Sequence, residues 1–166
     1  MLVLTLLAAG GCFNGTLTPS AQMATPVVNT ATTTGTALAW TNESELMYGI
    51  CFEAAFDAAG RIFVLRSADE LNELFNLADN SQLCRRPVTR ATYDFDGGRV
   101  LVGLWSRGRG CTARHEVRGL LVDEATRSVT VNLAFITEGD CNYELVRPFW
   151  IGISGVPDYA ITLVVE

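Results

Sequence analysis

Lysine is absent from this 166-residue chain: all 12 basic residues are arginine. That removes a Schiff-base lysine, a P-loop lysine and a Ser-Lys dyad, each of which needs the lysine amine. Histidine occurs once, at His115, so no two-histidine metal motif can be assembled. Charge is missing from the first quarter, and the first charged side chain is Glu43. Acidic residues outnumber basic ones 18 to 12, giving a net charge of −6. A phosphate-binding surface needs clustered positive charge, so nucleic acid is an unsuitable partner. No apolar run approaches the roughly 20 residues that span a bilayer as a helix. What remains is 49% hydrophobic, enough for one domain with a packed core.

The uncharged quarter divides in two. Leu2 to Ala9 is a short apolar run that leads into Ala9-Gly10-Gly11-Cys12. Small residues before a cysteine resemble the lipobox of bacterial lipoproteins, in which the signal is cut ahead of the cysteine and the thiol carries lipid. Residues 1–12 therefore read as a signal segment with Cys12 as the lipidation site; an ordinary cleaved signal is the other reading. Residues 13–39 are rich in Thr, Ala, Asn, Gly and Pro, hold no period of 2 or 3.6, and read as a flexible tether. Residues 40–166 form the single domain. Such a protein belongs to the cell envelope, facing the periplasm or exterior and held to the membrane through its N-terminal lipid only.

Within the domain, strand-like runs rich in Val, Leu, Ile, Phe and Thr fall at Gly49–Ala54, Arg61–Arg66, Arg99–Ser106, Thr112–Asp123, Ser128–Thr137, Leu145–Ile153 and Ala160–Val165. Ser67-Ala68-Asp69-Glu70 is a capping box, and Leu71, Leu74, Phe75 and Ala78 then recur at helical spacing. The expected fold is α+β: a mainly antiparallel sheet, one short helix packed on it, and disulfides. A turn over residues 124–127 sets the pairing of Leu120–Asp123 with Ser128–Val131, and brings Cys111 within one residue of facing Cys141. With Cys12 set aside, four cysteines allow three connectivities. The register favours Cys111–Cys141, which leaves Cys51–Cys84, and both bonds imply an oxidising compartment.

Three motifs imitate catalytic sites. Gly152-Ile153-Ser154-Gly155 has its second glycine one position early for a nucleophile elbow and no helix behind it. His115-Glu116 opens like a zincin helix but has Gly119 where the second histidine belongs. Asp94-Phe95-Asp96-Gly97-Gly98 lacks the later ligands of a calcium loop. No catalytic kit, metal site or cofactor site is expected. The candidate binding residues are Arg107, Arg109 and Arg114: the first two fall in the Gly-rich stretch Ser106–Cys111, read as an exposed turn whose guanidinium groups face a carboxylate-rich surface.

The order of a strand, Arg66-Ser67-x-x-Glu70-Leu71, a helix, Tyr93-Asp94-Phe95 and Arg99-Val100-Leu101-Val102-Gly103-Leu104-Trp105, with a closing Arg147-Pro148-Phe149-Trp150, resembles the C-terminal domain of the PrcB family. These are bacterial lipoproteins named as accessory subunits of a surface protease complex. The resemblance spans about residues 62–165 and implies a non-enzymatic protein that binds another protein, an exported protease being the partner it suggests. The alternative is a module for a small ligand or an envelope polymer.

Overall fold

The computed structural model describes residues 29–31 and 38–166. Cys12, the signal segment and most of the expected tether lie outside the described residues. The elements are β1 (Asn29–Ala31), β2 (Leu38–Asn42), a 3-10 turn at Ser44–Met47, α1 (Phe52–Asp57), β3 (Phe63–Leu65), α2 (Ala68–Asn80), β4 (Val100–Asp123), β5 (Ser128–Ile153) and β6 (Ala160–Val165). They form one sheet in the order β1-β2-β5-β4-β3, with β6 also paired to β5. The α+β architecture, mainly antiparallel with one main helix, is as expected. So are the two disulfides, Cys51–Cys84 and Cys111–Cys141, with Cα separations of 5.5 and 4.7 Å.

The long hairpin of β4 and β5 governs the rest. Near its turn Val122 faces Val129, and near its base Val100 faces Ile153. Midway the register jumps from Gly110↔Tyr143 to Thr112↔Glu138, so Cys111 and residues 139–142 form a bulge closed by the disulfide. Gly139 takes a φ of +82° there, which a side chain would strain. On one face of the base, Val100, Val102, Leu104, Phe149, Ile151 and Ile153 pack with Leu120, Val129, Val131 and Leu133 of the distal half and with Leu163 of β6. The hairpin therefore folds over and buries its own inner face. The other face, with Leu101, Trp105, Val146 and Trp150, receives Leu71, Leu74, Phe75 and Ala78 of α2. Because the base is covered on both sides, Val100–Ser106 is a continuous buried run.

Helix α2 forms where its sequence dictates. The Ser67 hydroxyl accepts from Glu70 N at 3.2 Å, and the Glu70 carboxylate reaches back to Arg66 N rather than to the cap residue itself. Its buried stripe is the one read from the spacing.

Four details differ from the sequence reading. The stretch Gly49–Ala54, expected as a strand, turns into α1: Phe52 and Phe56 meet one helical turn apart with ring centroids at 5.8 Å, while Ala54 and Ala55 are buried. The Gly-rich stretch Ser106–Cys111, expected as a turn, is strand: Arg107 faces Val146 and Arg109 faces Glu144. Neither Gly108 nor Gly110 has a positive φ; a side chain at Gly108 would come within 2.9 Å of Thr137 and 3.0 Å of Phe135. These glycines serve close packing, not chain reversal. Strand β6 runs parallel to residues 128–133 of β5, the rest of β5 acting as the crossover. Finally, the stretch assigned to the tether contributes β1 and the first two residues of β2, with Leu38 buried.

Candidate functional site

The fold-over leaves a groove between two parts of the hairpin. One wall is β5 at Val146–Phe149; the opposite wall is β4 at Ala113–Val117; Asn42, Ser44, Met47, Tyr48, Ile50 and Phe52 close it, with Trp105 also in the lining. Its volume is about 660 Å³, within the range of about 300–1,000 Å³ typical of ligand sites. Two aromatic side chains stand at its mouth in water, Tyr48 at 70% and Phe52 at 49% exposure. The Cys51–Cys84 disulfide fixes the segment that carries them, because Cys51 is the residue that caps α1.

The β5 wall is an edge with its backbone already engaged. Trp150 N donates to Ser44 Oγ at 3.1 Å, and Trp150 O accepts from Glu43 N at 2.7 Å, so its backbone N–H and C=O point away from β4 while its side chain stays in the core. By strand alternation the backbone groups of Pro148 and Val146 point the same way. Pro148 has no N–H, and Val146 O accepts from Arg147 Nη1 at 3.1 Å. An edge with these features resists the addition of a foreign strand.

The electrostatics of the groove oppose those of the molecule. Its lining holds two arginines, Arg114 and Arg147, and no Asp or Glu, on a chain of net charge −6. Arg114 is committed to Glu116 at 3.1 Å and to Glu138, and these carboxylates raise its pKa further. Arg147 makes no ion pair with a described carboxylate.

His115 lines the groove and meets Ser106, its Nε2 2.8 Å from Oγ. Its ring lies 4.9 Å from Phe135 and 5.4 Å from Phe149 by centroid, and burial pushes its pKa down to about 4. It is therefore neutral at pH 7 and adds an apolar surface rather than charge. A Ser–His contact supplies two members of a nucleophilic triad, but here Ser106 is only 7% exposed and lies outside the groove lining. No described carboxylate bonds the other ring nitrogen. The pair fastens the base of β4 to its distal half. Among the described residues no three His, Cys, Asp or Glu side chains are grouped as metal ligands.

Of the three arginines singled out from the sequence, only Arg114 lines the groove. Arg107 lies over the Phe56 ring at 5.0 Å, on the helix-bearing face. Arg109 donates to Asn142 at 3.3 Å beside the bulge. Arg147 and the aromatic pair Tyr48 and Phe52 were not anticipated. The available signal was Pro148 inside a strand, which marks an edge. Compared with protein-family models, with curated proteins and with solved structures, the chain matches none.

Proposed function

We propose that this is an exported, lipid-anchored, non-enzymatic protein whose domain binds another protein through the groove beside β5, and that it acts as an accessory or modulator of a surface protease. The observation that carries the binding reading is the groove itself: exposed Tyr48 and Phe52 beside cations in an otherwise acidic molecule. Exposed aromatics and arginine are the residues that anchor protein interfaces. Two disulfides suit an oxidising compartment, and the lipobox-like Ala9-Gly10-Gly11-Cys12 supplies the anchor. The protease connection rests on the resemblance to the PrcB family alone.

A photo-crosslinking residue placed at Tyr48 in the full chain, expressed in a lipoprotein-processing bacterium, tests the reading. A discrete protein adduct at this position, absent when the same residue replaces exposed Leu121 on the distal hairpin, is the expected result. Adducts of equal yield at both positions, or none, would reject it. In the same cells Cys12→Ala should move the protein from the membrane to the soluble fraction; a variant still sedimenting with membranes rejects the anchor.

A second reading has one observation in its favour. The groove's concavity and size also suit a small ligand or a strand of envelope polymer. Native mass spectrometry of protein purified from its own envelope would then show a bound non-protein mass.

A further inference from the structure

We infer that the groove selects an acidic segment of its protein partner, one in which a carboxylate side chain stands beside an aromatic or aliphatic one, and that Arg147 takes the carboxylate. This rests on the protein-binding reading above and names the chemistry of the partner.

The argument begins with charge. Acidic side chains outnumber basic ones on this chain, yet the only charged residues in the groove lining are two arginines. Such local inversion favours an anionic occupant and steers its approach. The two cations are not equivalent. Arg114 already holds Glu116 and Glu138, so its charge is offset. Arg147 is exposed and spends one N–H on the Val146 carbonyl. A guanidinium carries five donors in a planar fork, which leaves Arg147 enough to grip a carboxylate through two parallel bonds.

Arg147 is also held in place. Its backbone is paired to Ser106 across the ladder, and the 3.1 Å bond from Nη1 to the Val146 carbonyl fixes the guanidinium itself. A donor held before binding loses less entropy when the carboxylate arrives. The apolar half of the specificity comes from Tyr48, Phe52, Phe149 and the neutral ring of His115. Pro148 and the occupied backbone groups of Val146 and Trp150 disfavour strand addition along the β5 wall, so recognition falls to side chains.

Two end-blocked hexapeptides alternating phenylalanine with aspartate or with asparagine provide the probes, titrated into the ¹⁵N-labelled full chain with its disulfides intact. The aspartate peptide should shift the amides of Tyr48, His115 and Phe149 and bind at least about tenfold tighter than the asparagine peptide, a gap that narrows at high salt. Arg147→Gln should abolish the gap and Arg147→Lys should keep part of it, since the charge remains and the fork is lost. Arg109→Gln, outside the groove, should leave the gap intact. Should Arg147→Gln fail to fold, the two peptides on the wild type and on Arg147→Lys decide alone.

Equal binding of both peptides in the groove, unaffected at Arg147, overturns the carboxylate selection while the protein-binding reading stands on its crosslink. Shifts confined to residues outside the groove, or none at all, overturn it as well. A concentration-dependent dimer that buries the groove, seen by sedimentation, does so by making a second copy the occupant.

Discussion

The Trp150 indole covers Gly103, its cross-strand neighbour: a β-carbon built on Gly103 would sit 2.1 Å from the ring. Phe63 stacks on the same indole at 5.7 Å and Trp105 meets it edge-on at 5.3 Å. Glycine is thus required at position 103 for space, while its neighbours Val102 and Leu104 point to the opposite core.

Gly103→Ala should therefore displace Trp150 and cost about 1–3 kcal/mol, the usual penalty for overfilling a packed site. Near-UV circular dichroism reports the three rings directly. A variant with an unchanged aromatic spectrum and an unchanged denaturation midpoint would show that Trp150 is free to move aside.

Helix α2 offers a paired test. Phe75 is fully buried between the helix and the sheet, whereas Leu77, two positions on, is 58% exposed. Phe75→Ala should cost about 3–5 kcal/mol through the cavity it leaves. Leu77→Ala should stay within about 0.5 kcal/mol. Equal urea midpoints for the two variants would mean the helix docks by another face.

How much of this was readable in advance depends on distance along the chain. The signal for α2 is local, since cap and stripe lie within one dozen residues, and the physics there needs no partner. The pairing of Cys111 with Cys141 could be counted outward from a turn, because the register slips by only one residue between Asp123↔Ser128 and Thr112↔Glu138, next to the bulge. The segment Cys51–Asp57 could not be read the same way. Phe-Glu-Ala-Ala-Phe-Asp is as apolar as an edge strand, and its helical state is tied to a disulfide from Cys84 and to the burial of Ala54 and Ala55. Gly108 and Gly110 misled for a related reason: glycine marks either a turn or a close approach, and only the position of Phe135 and Thr137 decides which. The groove collects residues from three distant stretches, so of its cations only Arg114 was among the expected site residues.

The two disulfides should respond differently to reductant. Cys111 is exposed in the bulge, whereas Cys51 and Cys84 are half-buried and packed against the helix-side core. Thiolate attack depends on access, so limiting reductant should open Cys111–Cys141 first. Alkylation followed by mass spectrometry gives the order. Replacing Cys51 and Cys84 together by serine should cost about 3–4 kcal/mol in the chain-entropy treatment. It should also release Tyr48 and Phe52 from the groove mouth, weakening binding of the aspartate peptide. Peptide affinity that survives this double replacement would show that α1 holds its place without the bond.

His115 makes the stability of the domain depend on pH in a defined window. Its folded pKa is pushed down to about 4 from an unfolded value of 6.5 by burial against Phe135 and Phe149. Between those two values the unfolded chain binds a proton that the folded one refuses, so stability must fall as pH drops from about 6.5 to about 4. The ring is only half-buried, which limits the loss to ~1–2 kcal/mol. Asp79 and Asp123 work at lower pH. Their carboxyls are held below the ordinary value of 3.8 by bonds from Val88 N and from Thr126 respectively, so their stabilisation fades only as pH falls through that region. Urea midpoints measured from pH 7 to pH 4.5 therefore isolate the histidine. The double variant Ser106→Ala, His115→Phe removes the titrating ring without stranding the Ser106 hydroxyl, and its midpoint should decline less over this range. A wild-type midpoint that stays level, or a double variant with the same slope, would place the His115 ring in contact with water rather than against its two phenylalanines.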